Sequence, residues 1–353
     1  MKLKFSPLPF FFAGLFAVIY ILAAAFPLSQ ELQLVPEWTV SISQQPSTFS
    51  QQEKIFPFKS SQLAGYFSES GKIFSSSTFP VKIAISDSYY APFGLSDNSV
   101  SVYSPDGKTV CELKECGFPF IEDDRIFMFL PGGSSFCQFS NEGKKLWTYE
   151  GFVPVTAFSS TPAGCAAGFA DGKVLAFNPD GSLKIEFIPG GSRYPAILGV
   201  SLSSDGSQLA CLSGIDKQRI VLARVEKEHS VITFYKYLEK DQTHQSFVKF
   251  SNDNKWLYYS YTGGLGIVNC EKSKCTELKM DGTVISLKHT EVPGTFFVLT
   301  RNNKKYNVYV IENYTKKSGS FSFDADSAFI ETCGNELFVG RNSKISKIQI
   351  SKE

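Results

Sequence analysis

The sequence predicts an all-β fold: a seven-bladed β-propeller of four-stranded antiparallel blades, preceded by one N-terminal hydrophobic helix. Three observations carry that expectation. Four nonapeptides with a glycine in a fixed place recur 36 to 38 residues apart. Seven turns of a second kind recur at intervals of 35 to 48 residues. No stretch of useful length shows the 3.6-residue apolar periodicity of an amphipathic helix, which removes the α/β alternatives.

The hydrophobic helix comes first. The chain opens Met1-Lys2-Leu3-Lys4 and then carries no charge from Phe5 to Gln30. Residues 8–28 give 21 positions, almost all apolar or small. As a helix they would rise roughly 31 Å, about the thickness of a hydrocarbon core. No polar face is present, so the segment does not read as an amphipathic surface helix. The sequence therefore predicts a transmembrane anchor over 1–29. A cleaved signal peptide is the competing reading, with Ala23-Ala24-Ala25 as the small-residue site. Against it, the apolar stretch exceeds the usual signal core of roughly 7–15 residues. Lys2 and Lys4 precede the segment while Glu31 and Glu37 follow it. The positive-inside bias then keeps the N-terminus in the cytoplasm and sends the rest across. The expectation is a single-pass membrane protein, held through residues 8–28, with an extracytoplasmic (periplasmic) propeller. Residues 30–59 are polar and irregular and read as a tether, in which Trp38-Thr39-Val40 carries a weak strand pattern.

The propeller is assigned to residues 60–353. The nonapeptides are YFSESGKIF (66–74), VYSPDGKTV (102–110), QFSNEGKKL (138–146) and AFNPDGSLK (176–184). Each has an aromatic second, a Ser or Asn opening a turn, and glycine sixth. Glycine there supplies the positive φ of a tight turn between alternating strands, so these are β-hairpins. The second set of turns lies at 97, 132, 171, 215, 263, 302 and 342. A third set is clearest in VSLSSDGSQLA (200–210) and VKFSNDNKWLY (248–258). Each repeat thus reads as four short strands, the pattern of a propeller blade. Such a sheet cannot bury both faces alone, whereas radial stacking does bury them. Seven turns of one kind imply seven blades. The final strands at 327–331, 336–339 and 344–350 lack a fourth partner, and 72–76 lacks a blade of its own. Pairing N- and C-terminal strands in one last blade would close the ring and remove exposed edges. Whether 62–67 or 344–350 takes the third place in it is left open.

In these repeats the chain resembles the bacterial quinoprotein-like and WD40-like propellers. GFADGKVLAFNPDGSLKIEF (168–187) and FSNEGKKLWTYE (139–150) carry the likeness, while the Trp-Asp dipeptide of true WD40 repeats is absent. The resemblance implies architecture over roughly 60–350 rather than an activity. Quinone-dependent dehydrogenases of this group hold a cofactor and calcium with converging carboxylates, and some carry adjacent cysteines. No such constellation can be matched here. The outer-membrane assembly lipoprotein of Gram-negative bacteria is a non-catalytic scaffold of similar build, although this chain has no lipidated cysteine.

Composition sets further bounds. With 35 basic and 34 acidic residues, no overall field draws the chain to nucleic acid. The 33 phenylalanines suit half-buried pleated surfaces. Cys270 and Cys275 flank a four-residue turn, and cross-strand neighbours there would lie about 4.5–5.5 Å apart, within bridging range. A disulfide between Cys270 and Cys275 is one reading, and two packed free thiols are the other. Cys111 and Cys116 share that spacing but sit in one extended run, roughly 16 Å apart, and are not expected to pair. Cys137, Cys165, Cys211 and Cys333 fall in apolar strands and read as core. His229, His244 and His289 are scattered, and no Cys-x-x-Cys knuckle is present, so no metal is expected. His289, near a strand end, could face the channel. No nucleophile elbow, P-loop or dinucleotide fingerprint appears, and no cofactor or catalytic residue is assigned. The expected function is a membrane-anchored scaffold that binds protein partners in the cell envelope. The alternative is a propeller enzyme, hydrolase or oxidoreductase, or a small-ligand sensor, with its site in the central channel. Lys82, Lys249 and Lys288 on inner strands are as able to point into that channel as any carboxylate.

Overall fold

The structure, a computed structural model, describes residues 8–25, 32–43, 53–79, 81–94, 97–227 and 229–352. Its strands form eight sheets, seven of four strands and one of three. This is an eight-bladed propeller, and the expectation of seven blades is corrected. In chain order the blades span 55–78, 82–113, 118–149, 155–187, 197–237, 248–279, 283–324 and 328–352. The last is completed by Leu32–Ser41, which pairs antiparallel with Lys344–Lys352.

The four nonapeptides are the hairpins they promised. Gly71, Gly107, Gly143 and Gly181 all hold φ between +78° and +86°. Each donates its N–H to the carbonyl three residues back: Ser68, Ser104, Ser140 and Asn178. The strand that follows carries a register shift in all four, as a glycine-bearing bulge demands.

The miscount arises at blade 1. The seven turns counted from sequence join the second and third strands of the seven four-stranded blades. Blade 1 lacks a first strand, and the equivalent turn between its remaining inner two strands, Ser61-Gln62, carries no glycine or asparagine and was not among the seven counted. At one end of its inner strand, Ser60 Oγ donates to Asn342 O at 2.6 Å and Ser327 Oγ accepts from Ser61 N at 3.0 Å. At the other end, Glu69 N donates to Lys54 O and Cys333 Sγ donates to Glu69 Oε2. Ser327 and Cys333 bracket the inner strand of blade 8, so the two neighbouring inner strands run in opposite directions. With three strands instead of four, the chain must enter blade 1 from the far face to leave it where blade 2 begins.

The stretch 30–59, expected as a tether, is therefore largely structural. It supplies the outermost strand of blade 8 (Leu32–Ser41) and most of the inner strand of blade 1 (Ile55–Ser60). Trp38 packs on Phe338 at 6.0 Å and covers Gly71, so the polar composition hid a strand with one buried side. Residues 44–52 of the expected tether lie outside the described residues.

The core is the set of seams. Eight clusters of buried side chains correspond one to one with the eight blade interfaces around the ring. Among the described residues the seam between blades 1 and 2 is the thinnest, with Ala64, Phe79 and Ile83 buried and Ile85 and Tyr90 against them.

The N-terminal helix spans Leu8–Ala25, 18 residues, a rise of about 27 Å. Among the described residues no helix is long and apolar enough to cross a membrane. The expected single-pass anchor, with its cytoplasmic N-terminus and periplasmic propeller, is overturned. The 21-residue window ran through Pro27, which disfavours helical geometry at the residue before it. Residues 26–28 of that window lie outside the described residues.

Candidate functional site: the central channel

Inner strands contribute the channel wall. Two chambers of about 400 Å³ and 420 Å³ meet at Glu122, Asp123 and Lys249. The first lies beneath the first turns of blades 3 to 6, floored by Phe120, Phe158, Phe247 and Phe250. The second is bounded by blades 1, 2, 3, 6, 7 and 8, with Lys59, Asp87, Lys288 and Glu331 on its wall.

The two buried carboxylates are held differently. Glu331 accepts from Lys288 Nζ at 2.7 Å, with its side chain 13% exposed. Burial pushes its carboxyl up, an effect partly offset by Lys288. Glu122 accepts the backbone N–H of Ser160 at 3.0 Å. Burial raises its pKa as well, and Lys249 and that N–H oppose the shift. Arg125 does not close on Glu122: its guanidinium meets Asp123 at 2.9 Å and donates from Nε to Ser160 Oγ at 2.6 Å.

The cations divide similarly. Lys59 donates to Ile83 O at 3.4 Å and lies 5.4 Å from the Phe79 ring centre. Burial, helped by the charge of Lys82, lowers its pKa. Lys82 lies over Phe118, 5.3 Å from the ring centre, rather than over the channel axis. Lys249, on the wall shared by both chambers, acts on Glu122 and Glu331 through its charge, and among the described residues it forms no direct ion pair. The lining is thus mixed, with three lysines among four carboxylates. It is neither the neutral ring of a pure scaffold nor the bare carboxylate cluster of a metal-dependent enzyme. Among the described residues no group of three or more His, Cys, Asp or Glu could hold a metal ion.

Other expected residues fall elsewhere. His289 is not in the channel. Its ring packs against Tyr258 and Phe296 in the seam of blades 6 and 7, and burial lowers its pKa to about 4. His229 is at the surface, 2.9 Å from Glu226. Cys270 and Cys275 are free thiols. The register pairs Cys275 with Val268 and Lys274 with Asn269, so the two cysteines are not directly opposite each other. Cys275 Sγ meets Tyr259 Oη at 3.3 Å. Cys137, Cys165 and Cys211 are buried, as is Cys111, whereas Cys333 is only partly so. Glu122 and Glu331 were missed from sequence. Each occupies an alternate position on an inner strand, but which alternate faces the axis depends on the neighbouring blade.

Three comparisons bear on the chain. A protein from Treponema pallidum (strain Nichols), described only as uncharacterized, is 27% identical over 350 residues, covering 96% of this chain and 93% of its own. The crystal structure of BamB from Moraxella catarrhalis superposes with a TM-score of 0.58, covering 90% of this chain and 100% of that one. At 13% identity this likeness speaks for the fold alone. The family described as "beta-propeller protein" matches residues 1–353. With eight radial blades and a match along its whole length, the chain belongs to that beta-propeller protein family.

Proposed function

We propose that this propeller is a protein-interaction scaffold that offers one face of its ring to a partner. The observation that carries the reading is a ridge of exposed apolar side chains on the connections of blades 3 to 5. Phe152, on the connection into blade 4, is fully exposed, and Tyr194 and Ile215 near the entry of blade 5 are 63% and 47% exposed. The connections that carry these side chains are fixed by backbone hydrogen bonds. Ala170 N donates to Pro154 O at 3.0 Å and Ile215 N to Tyr194 O at 2.9 Å, tying each connection to the next turn. Large apolar residues grouped on one loop face suit a partner surface, and loops vary without disturbing the blades. Purified full-length chain carrying Phe152→Ser and Tyr194→Ser, incubated with cell-envelope extract, is expected to lose partners that the wild type retains while melting at the same temperature. Identical partner sets for both proteins, or none above background, would overturn the reading.

A second reading rests on the channel. Glu122 and Glu331 are buried carboxylates on a wall that also presents Lys249, and such a mixed wall suits a small ligand bearing both charges. A ligand-induced rise in melting temperature that disappears in Lys249→Ala would favour it over the first.

A further inference from the structure

The outer strand of blade 5, Ser230–Tyr237, differs from the other outer edges of the ring. Outer strands present unpaired backbone N–H and C=O groups, and proteins blunt them with charges, prolines, bulges or brevity. Leu32–Ser41 carries Pro36 and Glu37 with a bulge. Thr109–Leu113 carries Glu112, Lys145–Tyr149 carries Lys145, and Leu183–Phe187 carries Lys184 and Glu186. Lys274–Lys279 and Lys316–Asp324 each bear three or more charges, and Ile73–Thr78 is rich in serine. Ser230–Tyr237 has eight residues, no proline and one charge, and its one bulge, at Thr233, leaves Phe234–Tyr237 regular. That charge, Lys236, is engaged by Glu277 on the outer strand of blade 6 at 2.7 Å.

The same strand is apolar on its open side. Ile232, Tyr235 and Tyr237 are 39%, 55% and 46% exposed, and Ile188 beside them is 59% exposed. They stand uncovered because the neighbouring outer strand of blade 4 ends at Phe187. Arg219 holds the group together. Its guanidinium lies 5.3 Å and 5.7 Å from the ring centres of Tyr235 and Tyr237, and it donates to Pro189 O. Among the described residues no carboxylate pairs with it, and its Nε is buried without a hydrogen-bond partner. Aromatics around an arginine are the composition that dominates binding energy at interfaces.

We propose that this edge is a strand-addition site: it takes an extended segment of a partner protein as a fifth strand of blade 5. The occupant has alternating apolar side chains that lie on Ile232, Tyr235 and Tyr237, and a carboxylate that meets Arg219. Backbone groups of the incoming strand supply affinity, and the alternate side chains with the Arg219 charge supply register. The usable stretch is Phe234–Tyr237. The bulge that leaves Thr233 unpaired and the Ser273 hydroxyl on Thr233 O close one end, and the strand itself ends at Tyr237. Four residues match the inner strand of blade 2 in length. A second copy of this chain fits less well, since an edge pairing with itself would bring Arg219 no carboxylate.

The site deepens the scaffold reading and rests on it, but it can fail alone. Octapeptides displayed on phage would be selected on the purified full chain, and the winners synthesised. The expected winners alternate apolar residues and carry Asp or Glu at one fixed place. Their affinity should fall at least tenfold with Tyr235→Lys/Tyr237→Lys, with Arg219→Gln, and when alternate peptide amides are N-methylated. It should be unchanged by Phe152→Ser, which separates this edge from the loop ridge. Winners insensitive to N-methylation and to the blade 5 substitutions would overturn the proposal. So would a concentration-dependent dimer abolished by Tyr235→Lys/Tyr237→Lys, which would make the occupant a second copy.

Discussion

Lys288 and Glu331 join blades 7 and 8 across the channel wall, Nζ to Oε2 at 2.7 Å. The pair is asymmetric: Glu331 is 13% exposed and Lys288 35%. Burial raises the Glu331 pKa despite the lysine. A carboxyl whose folded pKa lies above its unfolded one binds more protons folded than unfolded. Its favourable contribution is therefore complete below the unfolded pKa and is lost as pH rises through the folded one. Removing the cation pushes Glu331 up further and widens that window. Lys288→Ala should cost about 1–3 kcal/mol at pH 7.5, as expected when a buried charge loses its partner, and much less near pH 4. Denaturant unfolding at the two pH values measures this. An equal loss at both would mean that the pair is not what the variant disturbs.

Two hairpin glycines with nearly the same backbone separate strain from packing. Gly107 has φ +82° and Gly181 φ +84°. A methyl at Gly107 would meet only Tyr90 Oη, at 3.9 Å. At Gly181 it would run into the ring of Trp147, which stacks on Phe177 in the seam of blades 3 and 4. Gly107→Ala should cost about 1 kcal/mol, the left-handed penalty alone. Gly181→Ala should cost about 2–4 kcal/mol, because overpacking adds to it. Thermal unfolding of the two variants measures the difference, and equal losses would remove the Trp147 contact from the explanation.

The same hairpins mark how far the sequence could be read. Glycine in a fixed place after an aromatic declares a tight turn locally, so the turns at 71, 107, 143 and 181 were legible. Their assembly was not, because strand direction is set by contacts distant in sequence. Ser60 finds Asn342 across 282 residues, and nothing local in Ile55–Ser60 says that it runs against its neighbours. The strand Leu32–Ser41 was obscured for a related reason, since only its pairing with Lys344–Lys352 makes its alternation meaningful. The channel was half legible: Lys249 and Lys288 were named as inner-strand candidates, while the carboxylates opposite them depend on which way each blade turns its pleat.

The thin seam beside blade 1 should be where the ring first opens. Blade 1 has three strands, and among the described residues its interface with blade 2 is the smallest of the eight buried clusters. Regions with few buried apolar contacts open at the lowest free energy. Tyr66 spans this seam, donating its hydroxyl to Ser86 O at 2.9 Å. Native-state hydrogen exchange should find amides of Ala64–Phe67 exchanging faster than those of Leu209–Leu212 in the second strand of blade 5. Tyr66→Phe should speed blade 1 further and cost about 1 kcal/mol, the worth of one buried hydrogen bond. Exchange at one common rate in blades 1 and 5 would show that the ring opens as a single unit.

A last test concerns a latch between blades 6 and 7. Tyr314, on the hairpin of blade 7, stacks on Trp256 of blade 6 with centroids 4.3 Å apart and planes 12° from parallel. It does so from a left-handed backbone, φ +64°, next to Asn313 at φ +50°. A bulky residue is strained there, and the stack, worth about 0.5–1.5 kcal/mol beyond its area, holds it. Both Tyr314→Ala and Tyr314→Gly lose the stack, but only glycine relieves the backbone. Glycine, ordinarily the more damaging replacement, should therefore be the milder one here by about 1 kcal/mol. Chemical denaturation of the two variants decides it: if alanine proves the more stable, the turn at 313–314 relaxes once the ring is gone, and the strain belongs to the stack and not to the hairpin.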